Sequence, residues 1–418
     1  MTAAPHTTCR ICRRLLDLPC LSLGSQPLAN NLEPTADAAL KATRYPLAFT
    51  RCLHCALGQL THVVAPDALF RQYLYTPSQS GVFRSHFAEL AGSLARTRSP
   101  SRGRASPPPF ICDIGSNDGL LLGFMKTLGW RVLGVDPAEN LAAAATERGI
   151  PTVCGYWGPD AVSRIHSETK GEGADLITAS NVLAHTDNWR EFFLDVARSL
   201  APNGQFVVEV PDLMTMLRDG TFDLMYHEHL SYPSVTALAK VAHAAELVVV
   251  AVVLVPIHGG SLRVTLRRAG GSAKWATDAS IDWREVERAW GLLAAPVYDQ
   301  FANQAKRAAA AVGDAIRGLR GEGKIVCGYS CPAKASTLIH AAGLTAGEIA
   351  WISDDNPAKH WRFMPGTAIP ILPPDVLVHE PWDVAVIWAW NIADELIRRL
   401  PRGKKALVPL PTVRIVET

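Results

Sequence analysis

From Phe110 to Asn140 the chain reads FICDIGSNDGLLLGFMKTLGWRVLGVDPAEN. Apolar residues lead into Asp113, a turn carrying Gly115 and Gly119 follows, and an apolar run with helical spacing leads to RVLGVD, which ends on Asp136. Short apolar runs bounded by turn residues predict buried strands, so this stretch is expected to fold as strand, glycine turn, helix and strand. The alternation continues to about Ala251, with a helix through Arg148, TVCGYW, a helix near Ala161, a strand ending around Ala179 and QFVVEVPDL over 205–213. Such alternation predicts a largely parallel sheet with helices on its faces. VPIHGGSLRVTLRR predicts a glycine-broken strand or strand pair added antiparallel, and Trp283 to Arg320 predicts one long Ala-rich helix. Residues 321–418 restart the pattern: GKIVCGYSCPAKASTLIHAAGL, then AWISDDNPAKHW ending a strand on Asp354 and Asp355, then WDVAVIWAWN.

At 418 residues the chain exceeds what one core usually organises, so two or three domains are expected. The Ser/Pro/Arg-rich stretch 96–109, after helical periodicity over Val82 to Leu94, marks a boundary. With 48% hydrophobic and 19% charged residues, composition is that of an ordinary soluble globular protein. A formal charge of +2 gives no general field for nucleic acid. VVVAVVLVPI is too short to span a membrane, and Met1 to Arg13 lacks an apolar signal region. An odd count of 9 cysteines, several inside apparent buried strands, points to a reducing cytoplasm rather than to disulfides.

Four of those cysteines form two C-x-x-C knuckles, Cys9-Arg-Ile-Cys12 and Cys52-Leu-His-Cys55. Each knuckle places two thiolates on a tight turn, and together they complete the tetrahedral sulfur set that structural Zn²⁺ prefers. A saturated site leaves no position for water, which assigns the metal to folding rather than catalysis. Cys20 and His54 are substitute ligands of lower standing. The segment between the knuckles, with Asn30, Asn31 and Tyr45, must form its own excursion.

The glycine turn has the makings of an adenosine site. Gly115 lets backbone approach a ligand, and Asp136, about twenty residues further on, stands where two ribose hydroxyls can be met. Asp113 and Asp118 flank the first glycine, and carboxylates there repel a pyrophosphate but suit the ammonium end of S-adenosylmethionine (SAM). A purely structural strand–helix turn is the competing account. Asn181, His185 and Asp187 follow a strand at its carboxyl end, where open α/β sheets bind ligands. MYHEHLSYPS crowds Tyr226, His227, Glu228, His229 and Tyr232 together, and acid–base work fits this block better than metal binding, which would want H-E-x-x-H. Tyr73, Tyr75, Ser78, Ser80 and His86 suit either a ligand edge or core packing. Lys334, at a predicted helix start, suits a diphosphate or is a solvated surface lysine.

In this order the paired knuckles, Y-x-Y-x-x-S at Tyr73, the glycine turn, Y-H-E-H at Tyr226, H-G-G-S at His258 and G-Y-x-x-x-A-K at Gly328 resemble a known family. It is the three-domain, SAM-dependent sugar C-methyltransferases, which act on nucleotide-linked 4-keto deoxysugars in antibiotic pathways. The resemblance implies an α/β protein with a zinc-binding domain over 1–70 and a helical lid and linker over 71–109. A class I SAM methyltransferase Rossmann-like domain over 110–282, a connecting helix over 283–320 and a C-terminal Rossmann-like sugar-nucleotide domain over 321–418 would follow. It further implies SAM along Asp113, Gly115, Asn117, Gly119, Asp136 and Asn181, and His229 as base with Tyr226, Glu228, His185 and Tyr75 around it. The sugar nucleotide would meet Tyr73, Ser78, Ser80, His258, Gly259 and Lys334. Thr76, Pro77, Gln79, Ser330, Cys331 and Ser336 depart from the family's usual residues, at expected substrate contacts. A monomer is expected. O- or N-methylation of a small molecule, and a zinc-domain binding protein on a SAM scaffold, are the alternative functions.

Overall fold

The computed structural model describes residues 3–70, 78, 80–96, 107–270 and 282–418, the side chain of Ala68 excepted. Tyr73 and Tyr75, and most of the 96–109 linker, lie outside the described residues.

Near the N-terminus, strands Leu21–Pro27, Arg44–Cys52 and Leu57–Leu60 form an antiparallel sheet. Its fourth strand comes from far along the chain: Ser231–Tyr232 pairs antiparallel with Leu57–Leu60, placing Ser231 opposite Gln59 and Tyr232 opposite Gly58. Close packing fixes that edge. A Cβ on Gly58 would stand 2.7 Å from the Phe49 ring, and Phe49 meets Tyr232 edge-on with centroids 5.5 Å apart.

The middle sheet has seven strands in the order Leu247–Val255, Ser261–Arg268, Leu200–Pro211, Ala174–Ser180, Phe110–Ile114, Arg131–Asp136 and Thr152–Cys154. The last five are parallel, and Ser261–Arg268 runs antiparallel to both of its neighbours, as expected for the H-G-G-S strand pair. Phe110–Ile114 has successors on both sides, so a crevice opens at its carboxyl end beside Gly115. The residues 321–418 build another seven-stranded sheet with five parallel strands and an antiparallel strand at each edge. Its switch point lies between Val326–Tyr329 and Val384–Ile387, again opening a crevice at strand carboxyl ends.

The connecting stretch is two helices, Trp283–Trp290 and Ala295–Gly321, rather than one. Gly291 ends the first in a left-handed conformation (φ 92°), and Pro296 opens the next at a position where no backbone donor is needed. Along the longer helix Tyr298, Phe301, Ala302, Ala305, Ala309, Val312 and Ile316 are buried at helical spacing. They belong to one apolar cluster that also holds Phe49 of the N-terminal sheet and Val326 and Ile352 of the C-terminal one. This shared core holds the two crevices facing each other.

Candidate active site

The crevices merge into one cavity of about 710 Å³, in the range of small-molecule sites. Its lining runs from Asp113, Gly115, Asn117, Asp136 and Asn181 through His185, Tyr226, His229 and His258 to Lys334, Asp355 and Asn391.

At the first crevice Gly115 has φ 67° and donates its amide to Val135 O at 2.7 Å. A Cβ there would lie 2.4 Å from Val182 Cγ2, so turn and opposing loop are as close as glycine allows. Gly119 (φ 76°) starts the following helix and packs against Ile150 outside the lining. Asp136 accepts the backbone N–H groups of Asn117 (2.8 Å) and Ala138 (2.9 Å), bracing the turn from the neighbouring strand. Burial nevertheless raises its pKa. Asp113 accepts the Thr178 hydroxyl at 2.6 Å, while burial pushes its carboxyl up to about 7, helped by Asp136 and Glu209. Asn181 Oδ1 is buried and has no hydrogen-bond partner. A ligand carrying an ammonium and hydroxyls fits this set, since it supplies the cation that Asp113 lacks and the donor that Asn181 lacks.

Over the middle of the cavity His229 Nδ1 lies 3.1 Å from Leu224 O, a contact only a donor can make. Nε2 of the neutral ring is therefore the acceptor for the Tyr226 hydroxyl, at 2.6 Å. Burial holds His229 well below its ordinary pKa, leaving the ring neutral with its lone pair at Nε2. His185 donates from Nδ1 to Glu228 O at 2.7 Å, stands 5.0 Å from the His229 ring, and is lowered by burial to about 4. Glu228 itself is not among the lining residues; it accepts Nδ2 of Asn30, which does line the cavity, at 2.6 Å. His227 likewise turns to the N-terminal segment, with Nε2 3.2 Å from Tyr45 O.

On the far side His258 (φ 53°) packs against Phe83, 4.8 Å between ring centroids. Gly259 sits against Trp390, whose ring a Cβ would approach to 2.7 Å, and is not among the lining residues. Lys334 is buried, donates to Asn391 Oδ1 and stands 4.1 Å above the Trp390 ring. Burial lowers its pKa to about 8, opposed by Asp223. Ser80 lines the cavity beside the start of helix Gly81–Arg96, whereas Ser78 does not. Sequence reasoning missed Trp390 and Asn391, although both follow a parallel strand at its carboxyl end. It also missed Glu209, a lone acid inside QFVVEVP, which accepts His86 Nε2 at 2.7 Å and Arg263.

The knuckle cysteines come together as expected. Their four sulfurs lie within 4.8 Å of one another, with Cys9–Cys55 and Cys12–Cys52 at 3.4 Å. Tetrahedral zinc with bonds of about 2.3 Å needs sulfurs roughly 3.8 Å apart, so the set fits the ion. Cys20 donates instead to Phe49 O, and among the described residues no other group of metal-ligating side chains stands out.

Three family models cover most of the chain: a zinc binding domain over residues 9–70, a methyltransferase domain over 84–252 and a C-methyltransferase C-terminal domain over 256–411. The C-methyltransferase NovU of Streptomyces niveus is 34% identical over 416 residues, 99% of this chain and 97% of that protein. The chain belongs to the SAM-dependent C-methyltransferases. Among solved structures, the magnesium protoporphyrin IX methyltransferase of Synechocystis PCC 6803 with bound SAM is 12% identical, covering 44% of this chain and 79% of its own, with a TM-score of 0.32. The CcbJ methyltransferase of Streptomyces caelestis is 14% identical over 44% of this chain and 90% of its own, with a TM-score of 0.33. This C-methyltransferase has no helix, among the described residues, long and apolar enough to cross a membrane.

Proposed function

We propose that the chain methylates the carbon next to the 4-keto group, C3, of a nucleotide-linked deoxysugar, with Zn²⁺ held by Cys9, Cys12, Cys52 and Cys55 as a structural ion. The observation that carries this reading is the Tyr226–His229 pair set over a cavity that joins the carboxyl ends of both sheets. A carbon acid needs a neighbouring carbonyl to take up its electrons, and a base that is neutral at the working pH. His229 meets the second condition. Its Nε2 accepts the Tyr226 hydroxyl, and both side chains line the cavity, so the phenol can relay a proton to the ring. Tyr226 oxygen takes the C3 proton as its own proton passes to Nε2, the C–H electron pair moving onto the 4-oxygen. Leu224 O holds the ring in the tautomer this requires.

SAM, when bound, would supply an electrophilic methyl group with a neutral thioether as leaving group. Asp113, Asn117, Asp136 and Asn181 would orient that donor, with His185 at the border between donor and acceptor. Ser80, His258 and Lys334 would contact the acceptor, Lys334 through the nucleotide phosphates. Glu228 positions the block by binding Asn30. Enclosing both reactants in one cavity supplies much of the acceleration.

The test is mass spectrometry of products from SAM and a panel of nucleotide 4-keto sugars, together with deuterium exchange at C3 without SAM. A methylated sugar nucleotide and His229-dependent exchange are expected. No product with any panel member, despite methylation of another carbon acid, would overturn the sugar assignment.

A further inference from the structure

Arg10 lies inside the first knuckle, between Cys9 and Cys12, and is wholly buried. Its side chain leaves the metal site and crosses to the methyltransferase domain. Nη1 donates to Leu60 O at 3.0 Å, and Nε donates to Asp187 Oδ1 at 2.8 Å. Its backbone amide donates to Gln59 Oε1 at 3.0 Å, and Gln59 Nε2 donates back to Thr8 O at 3.1 Å, so the knuckle is locked to the strand Leu57–Leu60. Leu60 in turn donates its amide to Leu230 O, beside the Y-H-E-H block. A second contact runs parallel: Arg13 Nη2 to Asn188 Oδ1 at 3.5 Å.

Asp187 and Asn188 end the loop that begins at Val182, and both line the cavity. The same loop carries Val182, which faces Gly115 across the donor crevice, and His185, which neighbours His229. Asp187 is itself 48% exposed, and besides Arg10 only the longer contact to His6 Nδ1, at 3.8 Å, is seen to hold it among the described residues. A guanidinium suits this post because its rigid fork engages Leu60 O and Asp187 at once in a way an ammonium cannot. Arg10 also stands between two sources of negative charge, the four thiolates that would form a net dianion around Zn²⁺ and the Asp187 carboxylate.

We propose that Arg10 is a positioning residue that fastens the Val182–Asn188 wall of the cavity to the first zinc knuckle, so that order at the metal site sets affinity for the methyl donor. This rests on placing SAM along the Gly115 turn.

The test uses the full-length, zinc-loaded protein and its variants Arg10→Met, Arg10→Lys, Asp187→Asn and the double variants of Asp187→Asn with each. Bound zinc, thermal midpoint and SAM affinity by calorimetry are measured on each. Arg10→Met is expected to keep its zinc and to bind SAM more weakly by on the order of tenfold. Asp187→Asn should show a similar loss, and the double variant should be no worse than either single one, as for two ends of one contact. Should Arg10→Met fail to fold, the cycle is run with Arg10→Lys, which keeps the charge and loses the fork. Unchanged SAM affinity with a lowered thermal midpoint, or strictly additive losses, would overturn the proposal and leave Arg10 a packing residue. Gly115→Ala separates the premises. If it abolishes SAM binding while the Arg10 variants bind normally, only the positioning role falls; if Gly115→Ala binds SAM like the parent, the placement of the donor falls.

Discussion

The side-chain amide of Asn30 donates to the carboxylate of Glu228 at 2.6 Å, joining the N-terminal segment that carries the two knuckles to the Y-H-E-H block across 198 residues of sequence. Glu228 is buried, so Asn30→Ala would remove one hydrogen-bond donor from a charge shielded from water. A loss of about 1–3 kcal/mol in unfolding free energy is expected, read from the urea midpoint. Turnover should fall as well, since Glu228 O also holds the His185 ring.

Tyr226 and His229 act as a unit in the proposed proton transfer, so their losses should overlap. His229→Asn and Tyr226→Phe should each lower kcat by roughly 10²–10⁴, with the double variant little worse. SAM binding by calorimetry should be unchanged in all three, and an equal loss of SAM binding would count against the assigned role.

Asp113 carries a pH signature. Burial raises its carboxyl to about 7, so its ionisation opposes folding, and stability from this group falls as pH climbs from about 4 through 7 in the free protein. A bound cation reverses the preference, because it favours the carboxylate. The ratio of wild-type to Asp113→Asn affinity for SAM should therefore rise between about pH 6 and 8 and flatten above, in calorimetric titrations across that range.

Gly259 offers a test of the contact between the second and third domains. With φ 86° and the Trp390 ring 2.7 Å from a would-be Cβ, Gly259→Ala must displace the ring over which Lys334 sits. Destabilisation of about 1–3 kcal/mol is expected from denaturant unfolding, along with altered Trp fluorescence.

The metal site should behave as a folding element. Cys55→Ser removes a fully buried sulfur of the proposed zinc set, and the variant should purify without zinc and be sensitive to proteolysis within residues 9–60. Elemental analysis and limited digestion provide the check.

What the sequence disclosed was local. The Gly115 turn, the two knuckles and the crowding of His and Tyr at 226–232 are spacings of a few residues, and each spacing already demands its geometry. The partners of those residues were not legible, because nothing near Glu228 names Asn30 and nothing near Arg10 names Asp187. Gly259 and Lys334 were expected as substrate contacts from the family resemblance. In the fold Gly259 packs on Trp390, and Lys334 donates to Asn391 while still lining the cavity. The break at Gly291 was open to inspection, as a glycine five residues before a proline, but helical periodicity on both sides hid it.

The strand Ser231–Tyr232 also constrains how the molecule comes into being. During synthesis the segment Leu57–Leu60 emerges long before its outer partner, and all four of its residues are buried in the finished protein. Until the ribosome has delivered residue 232, that edge waits uncovered, a template for unwanted pairing between nascent chains. A fragment cut at residue 70 would keep the same open border permanently and should aggregate, so the first domain is not separable cargo for transplantation onto another enzyme.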